Sequence, residues 1–179
     1  MSAPNDNGEP RFYGKYRGTV INNIDPEFRA RLLVQVPDVL GPTPSSWAEA
    51  CTPLAGPTGP PMGAYLVPPI GAGVWVEFEQ GDPEYPIWVG CRFASSADIP
   101  PTARAGLPVS PSIVLQTAGQ NSLTISDAPG PAGGILLKTL TGALISINDV
   151  GITLSNGKGA VINMVGPTTD LHAGALTIT

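Results

Sequence analysis

From Ser112 to Thr179 the chain has no Phe, Tyr or Trp, and glycine, asparagine or proline interrupts it every few residues. Short apolar segments lie between these interruptions: Ile113-Val114-Leu115, Leu123-Thr124-Ile125, Ile135-Leu136-Leu137, Leu144-Ile145-Ser146-Ile147, Ile152-Thr153-Leu154, Val161-Ile162-Asn163-Met164 and Leu176-Thr177-Ile178. Most place apolar residues at i and i+2, which puts both on one face of a β-strand. The separators, such as Gly119-Gln120-Asn121, Pro129-Gly130-Pro131, Asn148-Asp149, Asn156-Gly157 and Gly166-Pro167, are turn chemistry. Two core-facing side chains per strand with no aromatic filler bury too little surface to offset the conformational entropy of this tract. Burial must come from another copy, as in a β-solenoid or an intertwined β-prism. The repeats are unequal, at roughly 8 to 12 residues, where a single-chain solenoid keeps a stricter period. That favours several chains winding about one axis, with Leu123, Ile125, Ile135, Leu137, Ile145, Ile147, Ile152, Leu154, Ile162 and Met164 as the expected core between them.

The rest of the chain is a different material. All 11 aromatic residues fall between Phe12 and Phe93, and 16 of the 23 charged residues lie in the first 94 positions. Residues 95–111, with Pro100-Pro101, Pro108 and Pro111, read as a stiff connector incompatible with helix. Residues 1–10 read as a flexible tail. The expected organisation is therefore a domain over 11–94, the connector, and a spike over 112–179.

Composition narrows the function classes. With 22 glycines and 21 prolines the chain could be disordered, but 42% of it is hydrophobic, so turns explain these residues better. No stretch approaches the roughly 18 uninterrupted apolar residues of a membrane span, and the first 20 residues lack a basic-then-apolar signal pattern. Synthesis in the cytoplasm is the expectation. A net charge of −5 argues against a phosphate-binding surface. Cys51 and Cys91 sit in strand-like contexts and are expected to be buried reduced thiols, a disulfide or metal pair being the alternative.

The first domain reads as all-β. Tyr13 to Ile24 is a long first strand, and Asp25-Pro26-Glu27 turns into Ala30 to Val36, where Leu32, Val34 and Val36 share a face. A loop follows from Pro37 to Ser45, then a short strand from Trp47 to Cys51 and a Gly/Pro-rich excursion leading to Tyr65-Leu66-Val67. Gly73 to Glu79 and Ile87 to Phe93 form a hairpin about Gly81-Asp82-Pro83. Five or six strands without an obvious helix fit a small barrel of the OB-fold kind.

At this hairpin a family resemblance becomes specific. Pro68-Pro69-Ile70-Gly71-Ala72-Gly73-Val74-Trp75-Val76-Glu77-Phe78, then Gly81-Asp82-Pro83-Glu84-Tyr85-Pro86 and a strand ending at Gly90, resembles the signature of phage baseplate assembly protein V and VgrG-type spike proteins. Tyr16-Arg17-Gly18-Thr19-Val20, Asp25-Pro26 and Arg31-Leu32-Leu33-Val34-Gln35-Val36 are similar to that family's opening hairpin, and Trp47-Ala48 with Cys51-Thr52-Pro53 to its third strand. The C-terminal tract agrees with the family's β-helix. The resemblance implies an N-terminal OB-fold barrel followed by an intertwined trimeric β-helix needle: a homotrimeric central spike of a phage tail, a type VI secretion apparatus or an extracellular injection system. It further implies a baseplate hub protein at the barrel end, mechanical puncture of the target envelope, and effector cargo.

Departures from the family bear on chemistry. T-even phage spikes carry a lysozyme domain between barrel and needle, and the proline-rich connector here cannot house one. Glu77 and Glu79 near Asp82 and Glu84 could reach the roughly 5–10 Å separation of a glycosidase pair, but a solvated outer face is the simpler reading. No enzymatic role and no cofactor are expected. His172 is the one histidine. Some spikes of the family hold iron through a His-x-His motif, but here position 170 is Asp and 174 is Gly; three His172 side chains on a common axis remain a weak metal possibility beside an ordinary turn histidine. The closing Ala175-Leu176-Thr177-Ile178-Thr179 resembles the blunt end of the family's prism, on which a PAAR-type tip protein sits, and is the expected docking segment. Two other function classes compete: a nucleic-acid-binding OB module, which Glu77, Glu79 and Glu84 beside Trp75 and Trp88 disfavour, and a polysaccharide-binding tailspike. In the first of these, Trp75 and Trp88 would be exposed.

Overall fold

The structure, a computed structural model, describes residues 8, 10–57, 59–172 and 175–178. It divides into two compact units, Met1–Ala94 and Ser95–Thr179. The expected tail over 1–10 falls, apart from Gly8 and Pro10, outside the described residues. Both units are built on β-sheet, and the fold is all-β.

Five strands make the first unit: β1 (Tyr16–Asn22), β2 (Leu33–Gln35), β3 (Glu49–Ala50), β4 (Gly73–Phe78) and β5 (Pro86–Arg92). Their order in the sheet is β2-β1-β4-β5-β3, antiparallel except for the parallel β3–β5 pair. Leu32 and Ala48 exchange backbone hydrogen bonds of 3.1 and 2.8 Å, and the Ser45 amide donates to the Val34 carbonyl at 2.9 Å. These contacts join the β2 edge to the segment entering β3, so the two sheet edges are brought together as in an OB-fold barrel. Strand alternation decides what lies inside. Val74, Val76 and Phe78 point into the core with Val20, Leu32, Val34, Val36, Ala48 and Trp88, while Trp75 and Glu77 point outward. Phe12, Tyr16 and Phe78 close one end, with ring centroids 5.7 to 6.3 Å apart.

The Gly81-Asp82-Pro83 turn has a mechanical explanation. Gly81 takes a positive φ of 76°, Asp82 Oδ1 accepts from the Glu84 amide at 3.1 Å, and Asp82 Oδ2 accepts from Arg11 Nη1 at 2.8 Å. The turn therefore fixes the entering chain to the β4–β5 hairpin.

Some sequence expectations change. The loop from Pro37 to Ser45 contains a four-residue helix, α1 (Pro37–Leu40), because proline at the first position suits a helix start. Tyr65-Leu66-Val67 stays out of the sheet. Trp88 is buried, and its indole N–H donates to the Ala30 carbonyl at 2.9 Å, which removes it from any exposed aromatic surface. Cys51 and Cys91 are both exposed in the chain, contrary to expectation. β3 is only two residues long, so Cys51 lies just past it, and Cys91 follows a β-bulge that redirects β5. Partial burial still pushes the Cys91 thiol pKa up.

The second unit begins with a 3-10 turn over Ser96–Asp98 and a four-residue helix, α2 (Pro101–Arg104). The helix-incompatible connector is thus corrected. Ser95 and Asp98 form a capping box, and Pro101 opens α2, a position where proline loses nothing. Eight strands follow: β6 (Ile113–Gln116), β7 (Ser122–Ser126), β8 (Gly134–Lys138), β9 (Leu144–Asn148), β10 (Gly151–Ser155), β11 (Val161–Val165), β12 (Thr168–Leu171) and β13 (Leu176–Ile178). They form one antiparallel meander in chain order. Seven match the expected segments. β12 is the addition, hidden in the sequence because Thr168-Thr169-Asp170-Leu171 lacks the apolar alternation of the others.

Candidate functional site

The register of the meander lines up its i, i+2 residues into two ladders on one face. The first runs through Ile113, Ile125, Ile135, Ile147, Ile152, Met164 and Thr169. The second runs through Leu115, Leu123, Leu137, Ile145, Leu154, Ile162, Leu171 and Leu176. Between them on the opposite face lies a mixed row, Val114, Thr124, Leu136, Ser146, Thr153, Asn163 and Asp170. There Thr153 Oγ1 bonds Asn163 Oδ1 at 2.9 Å across adjacent strands.

Among the described residues, no apolar side chain of this unit belongs to the buried core, whose members lie in the barrel. Ile125, Ile135, Leu137, Ile145, Ile147, Leu154 and Ile162 are exposed, and Leu123, Ile152 and Met164 are half-buried. All ten expected core residues therefore stand together on one face, with Ile113, Leu115, Leu171 and Leu176 extending it. Seven strand spacings of about 4.8 Å make the strip roughly 34 Å long. A continuous apolar strip of that size on a monomer marks an interaction surface.

Turns along the two margins of the sheet are coupled to one another. In the β6–β7 turn, Asn121 Oδ1 accepts from the Leu140 amide of the β8–β9 turn at 3.2 Å. On the other margin Asp149 Oδ2, after β9, accepts from the Gly130 amide before β8 at 3.0 Å. Asn148 and Asn156 tie down their own turns, Asn156 Oδ1 accepting from Lys158 and Ala160 amides at 2.8 and 3.1 Å. Two glycines make strand starts possible. A Cβ on Gly134 would stand 1.9 Å from the Ile147 carbonyl oxygen, and one on Gly151 would stand 2.1 Å from that of Met164. The geometry favours a stiff plate.

His172 is exposed in the β12–β13 turn with φ 54°, its amide donating to the Val161 carbonyl at 2.7 Å. No group of three or more His, Cys, Asp or Glu able to hold a metal occurs among the described residues. Ala175 and Leu176 are exposed, β13 is hydrogen-bonded to β12 along one side and ends the sheet order, and Thr179 lies outside the described residues. Glu77 pairs with Lys15 at 2.5 Å, whereas Glu79 leaves the strand for a 3-10 turn, so the two do not form a carboxylate pair. No described helix is long and apolar enough to cross a membrane.

One electrostatic cluster in the barrel went unnoticed in the sequence. Asp25 is almost fully enclosed; its carboxylate accepts amides of Glu27, Arg29 and Arg31 at 3.0, 2.8 and 3.2 Å and pairs with Arg31 Nη2 at 2.7 Å. The Arg31 guanidinium and these amides hold the Asp25 carboxyl well below the usual carboxylate range, and Asp25 in turn raises the Arg31 pKa. Arg31 also lies over the Trp47 ring, 5.6 Å from its centroid. The Asp-Pro-Glu turn was visible, but the six-residue reach from Asp25 to Arg31 carried no sequence signal.

A small closed barrel followed by a plate with one uncovered apolar face defines a structural, self-associating protein. Residues 16–93 match the type VI secretion system/phage-baseplate injector OB domain, and residues 112–177 match the phage baseplate V C-terminal trimerisation domain. No curated protein matches the chain closely enough to count as a relative. The chain belongs to the phage baseplate V family, as a baseplate protein V/VgrG-type spike that carries its trimerisation domain after the OB domain.

Proposed function

We propose that three copies of this chain wind their C-terminal plates about one axis into a needle, the tip of a contractile particle's tube. The observation that carries this reading is the pair of apolar ladders, in register from β6 to β11 and mostly exposed along one face. In the trimer, Leu123, Ile125, Ile135, Leu137, Ile145, Ile147, Ile152, Leu154, Ile162 and Met164 face the axis, and the row containing Ser146, Thr153 and Asn163 faces water. Cross-strand pairing, turn-to-turn bonds and a filled interior suit an element loaded along its axis. The protein then acts by mechanical puncture of the target envelope, without a chemical step, while the barrels are held by a baseplate hub protein. His172 on this reading is a turn residue.

At the far end, β13 leaves one strand edge without a partner among the described residues. Open edges are normally covered. A PAAR-type tip protein seated over Ala175, Leu176, Thr177, Ile178 and Thr179 covers it. The test is capture of such a tip protein by the purified trimer. Removing Ala175–Thr179 is expected to abolish capture while leaving the trimeric mass unchanged; full capture by the shortened chain overturns the docking assignment.

A further inference from the structure

Between Ser112 and Thr179 the chain has five Asp and Lys side chains and no Glu or Arg. The strand register sorts four of them by sign. Lys138 ends β8 opposite Ser122 and Leu144, and Lys158 lies in the β10–β11 turn beyond Ser155 and Val161, so both stand on one margin of the plate. Asp127 follows Ser126, the partner of Gly134, and Asp149 lies in the β9–β10 turn after Asn148, so both stand on the other margin. Asp170, the fifth, sits within β12 in the mixed row.

The four margin charges are exposed, and none of them forms an ion pair among the described residues. The two acids accept only from neutral groups, Asp127 from the Ser110 hydroxyl and Asp149 from the Gly130 amide. From Gly134 to Lys138 the plate is four residue rises wide, about 14 Å, too far for either lysine to reach an acid of its own chain. Height along the stack of strands matches instead. Asp127 lies between β7 and β8 and Lys138 at the end of β8, while Asp149 lies between β9 and β10 and Lys158 between β10 and β11. Each aspartate thus stands at most about one strand spacing, ~4.8 Å, ahead of one lysine, and in the same direction. A lysine's flexible four-carbon stem spans that offset.

We infer that these margins are the seams of the needle: the lysine margin of one copy lies against the aspartate margin of the next, with Lys138 facing Asp127 and Lys158 facing Asp149 across each seam. The inference rests on the trimer proposed above, and the match of this region to a trimerisation domain makes a second copy of the plate its partner. Copies related by a threefold axis stand level and meet opposite margin to opposite margin at every seam. A copy inverted end to end would set lysine against lysine. A slip by one hairpin, which repeating ladders alone would tolerate, leaves one of the two pairs and opens the ring. Exposed ion pairs add little affinity, so their effect here is alignment and the rejection of wrong arrangements.

A zero-length carbodiimide joins a lysine to a carboxylate only where the two touch. The full-length protein, its mass checked in the same sample, is treated at a dilution where no species exceeds trimeric mass, and the linked peptides are read by mass spectrometry. Lys15 and Glu77, paired at 2.5 Å within the barrel, supply the internal control. The expected result is a Lys138–Asp127 or Lys158–Asp149 link, each between chains, with denaturing-gel bands at about two and three times the 18.4 kDa chain mass. Lys158–Asp127 or Lys138–Asp149 links in their place mean a slipped seam and overturn the alignment. Trimeric mass with the Lys15–Glu77 link and no margin link overturns the seams alone. A monomeric mass overturns the trimer, and the seams with it.

Discussion

The barrel and the plate dispose of their apolar faces in opposite ways. In the barrel nine buried residues, from Val20 to Trp88, close a core within one chain. In the plate the same strand alternation gives two ladders in register, left mostly exposed by the described residues. Sheet curvature is the difference. Bulges at Val20/Asn22 and at Trp75/Val76 bend the barrel strands until their edges meet, while the plate strands pair in unbroken register. One region closes its core within the chain and the other leaves its apolar face open.

That contrast breaks first at Ile145. Ile145→Asp puts a charge into a ladder that the proposed trimer buries, and the solution mass is expected to fall from about three times 18.4 kDa to the mass of one chain. Ser146→Asp, one residue along on the opposite face, leaves the trimer intact. Next in size is Leu32→Ala, which opens the barrel core and costs about 2–5 kcal/mol. All three tryptophans lie in the barrel, so their fluorescence during denaturant unfolding reports that loss while the trimeric mass holds. A coincident loss of trimer would show the two regions to be one cooperative unit. Gly134→Ala forces a methyl against the Ile147 carbonyl and should destabilise the plate by about 1–3 kcal/mol, read as an earlier circular-dichroism melt with an unchanged tryptophan transition.

The smallest effect is pH-dependent. Asp25 has a lowered pKa in the folded chain, so its stabilising contribution is complete above the ordinary carboxylate value of about 4 and is lost as pH falls toward the lowered one. Asp25→Asn should therefore lower the barrel's unfolding midpoint at pH 7, and the gap to wild type should narrow below about pH 4. A gap independent of pH would mean that the carboxylate's charge is not what braces the loop.

The plate was the more legible region. Ile-x-Ile and Leu-x-Ile pairs between glycine and asparagine turns state both strand and face, and the ten residues named from that pattern stand on one face. β12 escaped because Thr169 takes a ladder position without being apolar. In the barrel, alternation identified Val74, Val76 and Phe78, yet Trp88 read as a surface candidate. Its burial depends on the Ala30 carbonyl 58 positions away, a contact that no local pattern encodes. The exposure of Cys51 and Cys91 likewise follows from a strand of two residues and from a bulge, neither marked by residue type. Local periodicity is readable; where a barrel closes is decided by distant partners.

Each hairpin of the plate is one storey of two strands with four side chains on the ladder face, and in the first half of the sheet turns bond to the turns one storey away on the same margin. Duplicating one hairpin would add about 10 Å of height without altering the cross-section. Adding a single strand would instead move every later turn to the opposite margin and break those bonds. In the proposed needle, length can therefore change by whole hairpins, a quantised route by which related particles could match barriers of different thickness.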